Sequence, residues 1–305
     1  MSRIALLRDG ALGDIIMLAN CLPKLREQFD EIYLITQRET WDTLGEFLLS
    51  NKLVDGMHTP GDFVADDYDK VVYCRGYPIH EGYPEVKMRK HLIEFFADDI
   101  GVEASFDALV CSTPETNVSF SGTPYVTIQN KTGWSIYKEW HGWQQLINKM
   151  RRKIPEVGVY QVGGPYDPPL ANIDGTFCGR SFEDNLAAQA YSVMHLGVDS
   201  LLQHTTNIRW DGGAKKSGVI LWGSTQYDAL GYSHNINISL QLPCQPCFRE
   251  NPGISVVPGG ICPNPPDQTY ENPRHDCMAG ITVDMVYDAT VNLLEKKSES
   301  YLAQR

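Results

Sequence analysis

The chain reads as an α/β protein of two open parallel sheets that face one another across a cleft. Apolar strands alternate with amphipathic helices, which implies parallel sheets covered on both faces. The alternation pauses at residues 112–124, a polar stretch rich in Ser, Thr and Pro, and then restarts. A length of 305 residues suits two domains, each with its own core. In folds of this kind, ligands bind outside the carboxyl ends of the strands.

Arg3 to Arg8 forms a short apolar strand. It runs into the turn Gly10-Ala-Leu-Gly-Asp14 and a helix with apolar Ile15, Ile16, Leu18, Ala19, Leu22 and Leu25. Glu31 to Thr36 and Lys70 to Cys74 are further strands, and Lys90 to Ile100 is an amphipathic helix. Beyond the pause come a strand from Tyr125 to Gln129, a helix from Trp140 to Lys153 and a strand from Val157 to Val162. Phe182 to Met194 is expected to be helical, Gly218 to Trp222 a buried strand, and Val283 to Tyr301 a closing helix. These elements divide the chain into a first domain over 1–118 and a second over 119–285. The last stretch, 286–305, is expected to pack back towards the first domain.

An irregular insertion, 243–278, carries Cys244-x2-Cys247-x14-Cys262-x14-Cys277. It has too few periodic apolar residues to build its own core. The spacing suits a tetrahedral thiolate cage around a structural zinc or iron ion, and the four cysteines are preferred to His275 as its ligands. Cys21, Cys74, Cys111 and Cys178 stand singly in apolar settings, as reduced, buried thiols do. The first residues do not look like a signal peptide, and no run approaches the roughly 18 apolar residues of a membrane span. A cytoplasmic protein is expected. The net charge of −12 argues against a broad nucleic-acid footprint. Two local basic clusters, Lys87 to His91 and Lys149 to Lys153, read as solvated helix ends.

The candidate chemistry lies at strand ends. Gly10 and Gly13 permit a tight turn and close approach to a ligand. Asp14 is then either the N-cap of the first helix or a carboxylate at the cleft mouth, able to take a proton from a hydroxyl. Lys131 to Trp143 holds three tryptophans and two lysines between a strand and a helix. Of the lysines, Lys138 is the better candidate for neutralising phosphate. Asp199 and Ser200 either cap a helix or meet sugar hydroxyls and a phosphate, with His204 about one turn on. Gly223-Ser-Thr225 ends a strand and offers small polar groups to the same cleft.

In order along the chain, Gly10 to Pro23, Tyr137 to Trp143, Gly197 to Ser200 with His204, Leu221 to Thr225, and Pro243 to Cys247 with His275 to Met278 resemble the motifs of one family. It is the inverting ADP-heptose-type glycosyltransferases, which include the lipopolysaccharide and bacterial autotransporter heptosyltransferases. The resemblance implies the GT-B fold, two Rossmann-like domains with the active site between them. It implies a nucleotide-sugar donor as co-substrate, Asp14 as general base, Lys138 as phosphate ligand and Asp199 as a donor-sugar contact. Gly13 would approach the ligand, and His204 and Thr225 would lie near the diphosphate. No catalytic metal is expected where protein groups neutralise the leaving group. The cysteine arrangement is closest to the autotransporter-type members, where it looks like a metal finger.

Leu201 stands where the family has a small residue, and His204-Thr-Thr-Asn207 departs from its usual helix. The sugar and the base therefore stay open. The acceptor also stays open among a glycan, a protein and a hydroxymethylated DNA base. A non-catalytic metal-finger binding protein is the reading from a different class. Against it, only Arg249 and Arg274 are basic between Cys244 and Cys277.

Overall fold

The protein is described by a computed structural model at residues 1–77, 87–116, 118, 120, 123–133, 136–247 and 276–302. Its first half is a four-stranded sheet of β1 (Arg3–Leu7), β2 (Glu31–Ile35), β3 (Gly56–His58) and β4 (Lys70–Tyr73) in the order β3-β2-β1-β4. All pairs are parallel, with Ile4 opposite Ile32 and Leu6 opposite Leu34 and Val72. The helices of this half are α1 (Leu12–Ala19), α2 (Leu22–Leu25), α3 (Arg38–Ser50) and α4 (Leu92–Ile100). α4 starts at a capping box, in which the His91 ring accepts from the Ile93 amide and Glu94 accepts from the His91 amide. It ends at Gly101, whose φ of 79° is a left-handed stop.

The second half has six parallel strands: β6 (Tyr125–Ile128), β7 (Gly158–Gln161), β8 (Gly175–Thr176), β9 (Met194–Val198), β11 (Gly218–Leu221) and β12 (Ile236–Ile238). A short parallel pair of β5 (Val110–Cys111) with β10 (Arg209–Trp210) joins the two halves. The six-stranded order is β12-β11-β9-β6-β7-β8. Counted within this half from its other edge, it is 3-2-1-4-5-6, the doubly wound order of dinucleotide-binding sheets. Both sheets therefore reverse direction beside their first strand, between β1 and β4 and between β6 and β9. Those are the points where such sheets leave a crevice.

The remaining helices are α5 (Trp143–Lys153), α6 (Phe182–Tyr191), α7 (Leu201–His204), α8 (Tyr227–Leu230), α9 (Asp276–Ala279) and α10 (Val283–Leu302). One apolar core runs from Ile4, Ile16 and Phe96 of the first half into Tyr125, Leu186, Trp210 and Trp222 of the second. The other lies under α5 and α10 and holds Trp140, Trp143, Leu146, Val198, Val286 and Leu293. Among the described residues, α10 packs on α5 and β11 of the second half. Val286 and Leu293 complete the tryptophan-rich core, and the Trp140 indole donates to the Ile281 carbonyl at 2.8 Å just before the helix begins.

Sequence reading carries the helix after Phe182 through Met194. In the structure it stops at Tyr191, and Met194–Val198 is β9, buried at every position. A strand buried on both faces shows no alternation, and His195 and Gly197 are weak strand formers. The correction matters because β9 is the strand that delivers Asp199.

Candidate active site

α1 begins at Leu12, with Ala11 as its N-cap. Asp14 is therefore a first-turn helical residue and not the cap that its position before the apolar run allows. Its side chain is almost wholly buried. One carboxylate oxygen pairs with the Arg8 guanidinium, and the other accepts from the Tyr77 hydroxyl at 3.2 Å. Arg8 is held in turn by the Cys74 and Arg75 carbonyls at 3.1 and 2.7 Å, and its guanidinium lies against the Phe96 ring. Arg8 follows β1, and Tyr77 lies beyond β4. The whole group therefore sits at the carboxyl end of the first sheet, at its reversal point. Burial pushes the Asp14 carboxyl above its ordinary value, opposed by Arg8, Tyr77 and Lys138.

The second group occupies the matching place in the other sheet. Lys138 ends the loop after β6, and Asp199 directly follows β9. The Lys138 ammonium lies 2.8 Å from one Asp199 oxygen, which also accepts from the Thr225 hydroxyl at 2.6 Å. The other oxygen is 3.9 Å from His204 Nε2. Burial alone would raise the Asp199 carboxyl. The Lys138 charge and the hydrogen bonds from Lys138 and Thr225 outweigh it and hold the group below the usual carboxylate range. Burial pushes the His204 imidazole down to about 3, so the ring is neutral near pH 7. Ser200 stands beside this group, its hydroxyl accepting from the Gln129 amide at 3.2 Å.

The two groups meet because α1 packs on α7. The Lys138 charge reaches Asp14 as well as Asp199, so one ammonium lies within electrostatic range of a carboxylate from each half. Gly13 faces His204, and a Cβ there would stand 2.7 Å from the ring Cδ2. The structure thus brings Gly13, Asp14, Lys138, Asp199, Ser200, His204 and Thr225 together where the two halves meet. Arg8 and Tyr77 belong to the same group and went unnoticed in the sequence. A charge directly after an apolar strand and before a glycine turn is the signal that marks Arg8.

The cysteine insertion is only partly in view. Cys244 and Cys247 lie in a turn bound to the end of β11, where Gln245 donates to the Gly223 carbonyl at 2.6 Å and the Cys247 amide donates to the Ser224 carbonyl at 2.9 Å. Cys277 lies in α9, whose Met278 sulfur stands 3.0 Å from where a Gly223 Cβ would be. Both pieces therefore press on one turn, the one that leads to Thr225. Among the described residues, no group of three or more His, Cys, Asp or Glu side chains gathers to hold a metal. Cys262 and His275 lie outside the described residues. Among the described residues, no helix is long and apolar enough to cross a membrane.

No protein-family model and no curated protein matches the chain. Solved structures do. The iron-containing dodecameric glycosyltransferase TibC from enterotoxigenic E. coli H10407 superposes with a TM-score of 0.69 at 13% identity, covering 97% of this chain and 76% of its own. The ADP-heptose lipopolysaccharide heptosyltransferase II of E. coli gives 0.65 at 13% identity, covering 98% and 100%. A glycosyl transferase family 9 protein from Veillonella parvula DSM 2008 gives 0.65 at 14% identity, covering 97% and 98%. At such identities the likeness is one of fold. The two-sheet architecture of this chain is that of these transferases.

Proposed function

We propose that the protein is an inverting glycosyltransferase that moves a sugar from an ADP-heptose-like nucleotide sugar to an acceptor hydroxyl. The observation that carries this reading is the pair of buried carboxylates, Asp14 and Asp199, one at each reversal point, with Lys138 bound to Asp199 and its charge felt by Asp14. The fold shared with heptosyltransferases supports it, and TibC has been solved with ADP-D-beta-D-heptose.

In this mechanism the acceptor binds on the first half, with its hydroxyl at the Asp14 carboxylate. Asp14 takes the hydroxyl proton while the oxygen attacks the anomeric carbon from the face opposite the nucleotide. The bond from that carbon to the diphosphate oxygen breaks, and its electron pair leaves with the nucleoside diphosphate. Lys138, held at the cleft by Asp199, balances the charge that develops on the diphosphate. The Thr225 and Ser200 hydroxyls add hydrogen bonds to the donor. Arg8 and Tyr77 hold the base in place.

The four cysteines, Cys244, Cys247, Cys262 and Cys277, are assigned a structural zinc or iron ion that staples the insertion. The support is their spacing and the attachment of both described ends to the Gly223–Ser224 turn. The metal would brace the strand end that presents Thr225. Cys244→Ser is expected to lower bound zinc or iron in the purified protein and to lower its melting temperature. Unchanged metal content and melting temperature would remove the staple.

The activity itself is tested by a thermal-shift series with ADP-, GDP-, UDP-, CDP- and dTDP-linked sugars, followed by release of nucleoside diphosphate and mass analysis of candidate acceptors. Stabilisation by an ADP-sugar and an acceptor gaining one sugar are expected. No stabilisation and no release from any donor would end the reading.

A further inference from the structure

Asp14 and Asp199 come from different halves, so their separation is set wherever α1 and α7 touch. That contact is close. A Cβ on Gly13 would lie 2.7 Å from His204 Cδ2, 3.2 Å from its Nε2 and 3.7 Å from the Leu201 Cα. A methyl group at Gly13 therefore needs room that only the His204 ring can give.

The ring has nowhere to go. Its Nδ1 lies 3.3 Å from the Tyr232 hydroxyl, the two rings meet edge-on at 6.0 Å, and the Gln203 amide is 3.0 Å from Nδ1. Tyr232 is itself buried and packs at 5.4 Å on His91, a first-half residue. His91 Nδ1 accepts from the Ile93 amide, so its Nε2 carries the proton and donates to the Gly231 carbonyl at 3.0 Å. A wall built from both halves thus backs His204 on the side away from Gly13.

His204 is buried and uncharged near neutral pH, so it lacks the charge of a diphosphate ligand. What it does have is a fixed place between the helix that carries the base and the carboxylate 3.9 Å from its Nε2. We infer that His204 is a positioning residue, a spacer seated against Gly13 that sets the distance from the Asp14 base to the donor side of the cleft. The inference rests on the transferase reading above.

The test is a cycle of four proteins: the natural chain, Gly13→Ala, His204→Ala and the double variant. Each is assayed for kcat and donor KM with the donor that the natural chain turns over, and for ADP affinity. A methyl at Gly13 moves the base by a fraction of an ångström to an ångström, a displacement that lowers rates by about 10- to 100-fold. Gly13→Ala is expected to lose about 10-fold or more in kcat, with ADP affinity within about twofold of the natural chain. In the His204→Ala background the same methyl finds space. The double variant is expected to run within about threefold of His204→Ala alone, a coupling that independent sites do not show.

His204→Ser replaces His204→Ala if the latter fails to fold, with the melting temperature and ADP binding as the check. Full activity in Gly13→Ala overturns the spacer, as does an equal loss from Gly13→Ala in both backgrounds. A tenfold or greater loss of ADP affinity in His204→Ala makes the ring a donor ligand and also overturns it. These outcomes require an active natural chain. A natural chain that turns over no donor instead overturns the transferase reading, and the spacer falls with it.

Discussion

At the scale of single residues, the two carboxylates of the cleft are tuned in opposite directions. Asp14 is raised, chiefly by burial, which makes it a better base once ionised. It binds its proton more tightly folded than unfolded, so its stability contribution is fully present at acid pH and is lost as pH rises through its folded pKa. Asp199 is lowered by its cation and hydrogen bonds, so its contribution is present above the ordinary carboxylate range and is lost as pH falls through its folded pKa. Transfer should therefore weaken on the acid side with an apparent pKa above the ordinary carboxylate range, set by Asp14. A pH profile of kcat/KM whose acid limb lies within or below that range would contradict this. Asp14→Asn should abolish transfer, and it should not be silent in stability. The Arg8 guanidinium stays buried without its carboxylate, though it keeps the Cys74 and Arg75 carbonyls. Breaking a buried pair usually costs about 3–5 kcal/mol, and the retained carbonyls should hold the loss to about 2 kcal/mol. Urea midpoints of the two proteins, read beside turnover, check both parts, and measurable turnover removes Asp14 as the base.

At the scale of elements, what could be read from the sequence depends on how local the cause is. The β1–turn–α1 unit is legible because its glycines, its apolar strand and its helical apolar period lie within a few residues. α3, which sequence reading passes over, carries Thr40, Leu44, Phe47 and Leu48 inward at helical spacing, but polar residues dilute the pattern. β9 is hidden because burial on both faces removes the alternation that marks a strand. Asp14, Lys138, Asp199 and Thr225 can be singled out because they lie in the segments that follow strands. Tyr77 is not, because only the pairing of β1 with β4 brings it to Asp14. The joints between halves are equally non-local. The Gln226 side chain, next to Thr225, accepts from the Met88 amide and donates to the Met88 carbonyl, both at 2.9 Å. Met88 is buried, so Gln226→Ala leaves two backbone groups without these partners. That variant should lose about 2–4 kcal/mol of unfolding free energy in urea, more than an exposed glutamine would cost. A loss below about 0.5 kcal/mol, as at ordinary surface sites, would show that the joint carries no load.

At the scale of the whole molecule, the shared core and the joints make acid stability a property of both halves together. His91, His195 and His204 are all buried, and burial pushes them down to about 4, 3 and 3. Each stays neutral in the folded protein while its unfolded counterpart takes up a proton below about pH 6.5. A base held below its unfolded pKa contributes stability that is present above that pKa and is lost as pH falls towards the folded value. At pH 5 each histidine withdraws about 2 kcal/mol, so together they remove an amount of the order of 6 kcal/mol, comparable with the total stability of a typical domain. Asp14, Glu139, Asp167 and Glu183 work the other way, since burial raises each and it gains stability as it is protonated, but the last three are only partly buried and offset less. Charge repulsion cannot be the cause in this window, because the net charge of −12 shrinks towards zero near the pI of about 5.1. The three histidines lie in the first half, in the six-stranded sheet and at the contact between halves, so no half escapes the loss. Melting temperatures measured from pH 7.5 down to 5 should therefore fall steeply below about pH 6.5, and in one transition because the core is continuous. A flat profile would mean that these imidazoles meet water in the folded chain, and two separate transitions would mean that the halves stand alone.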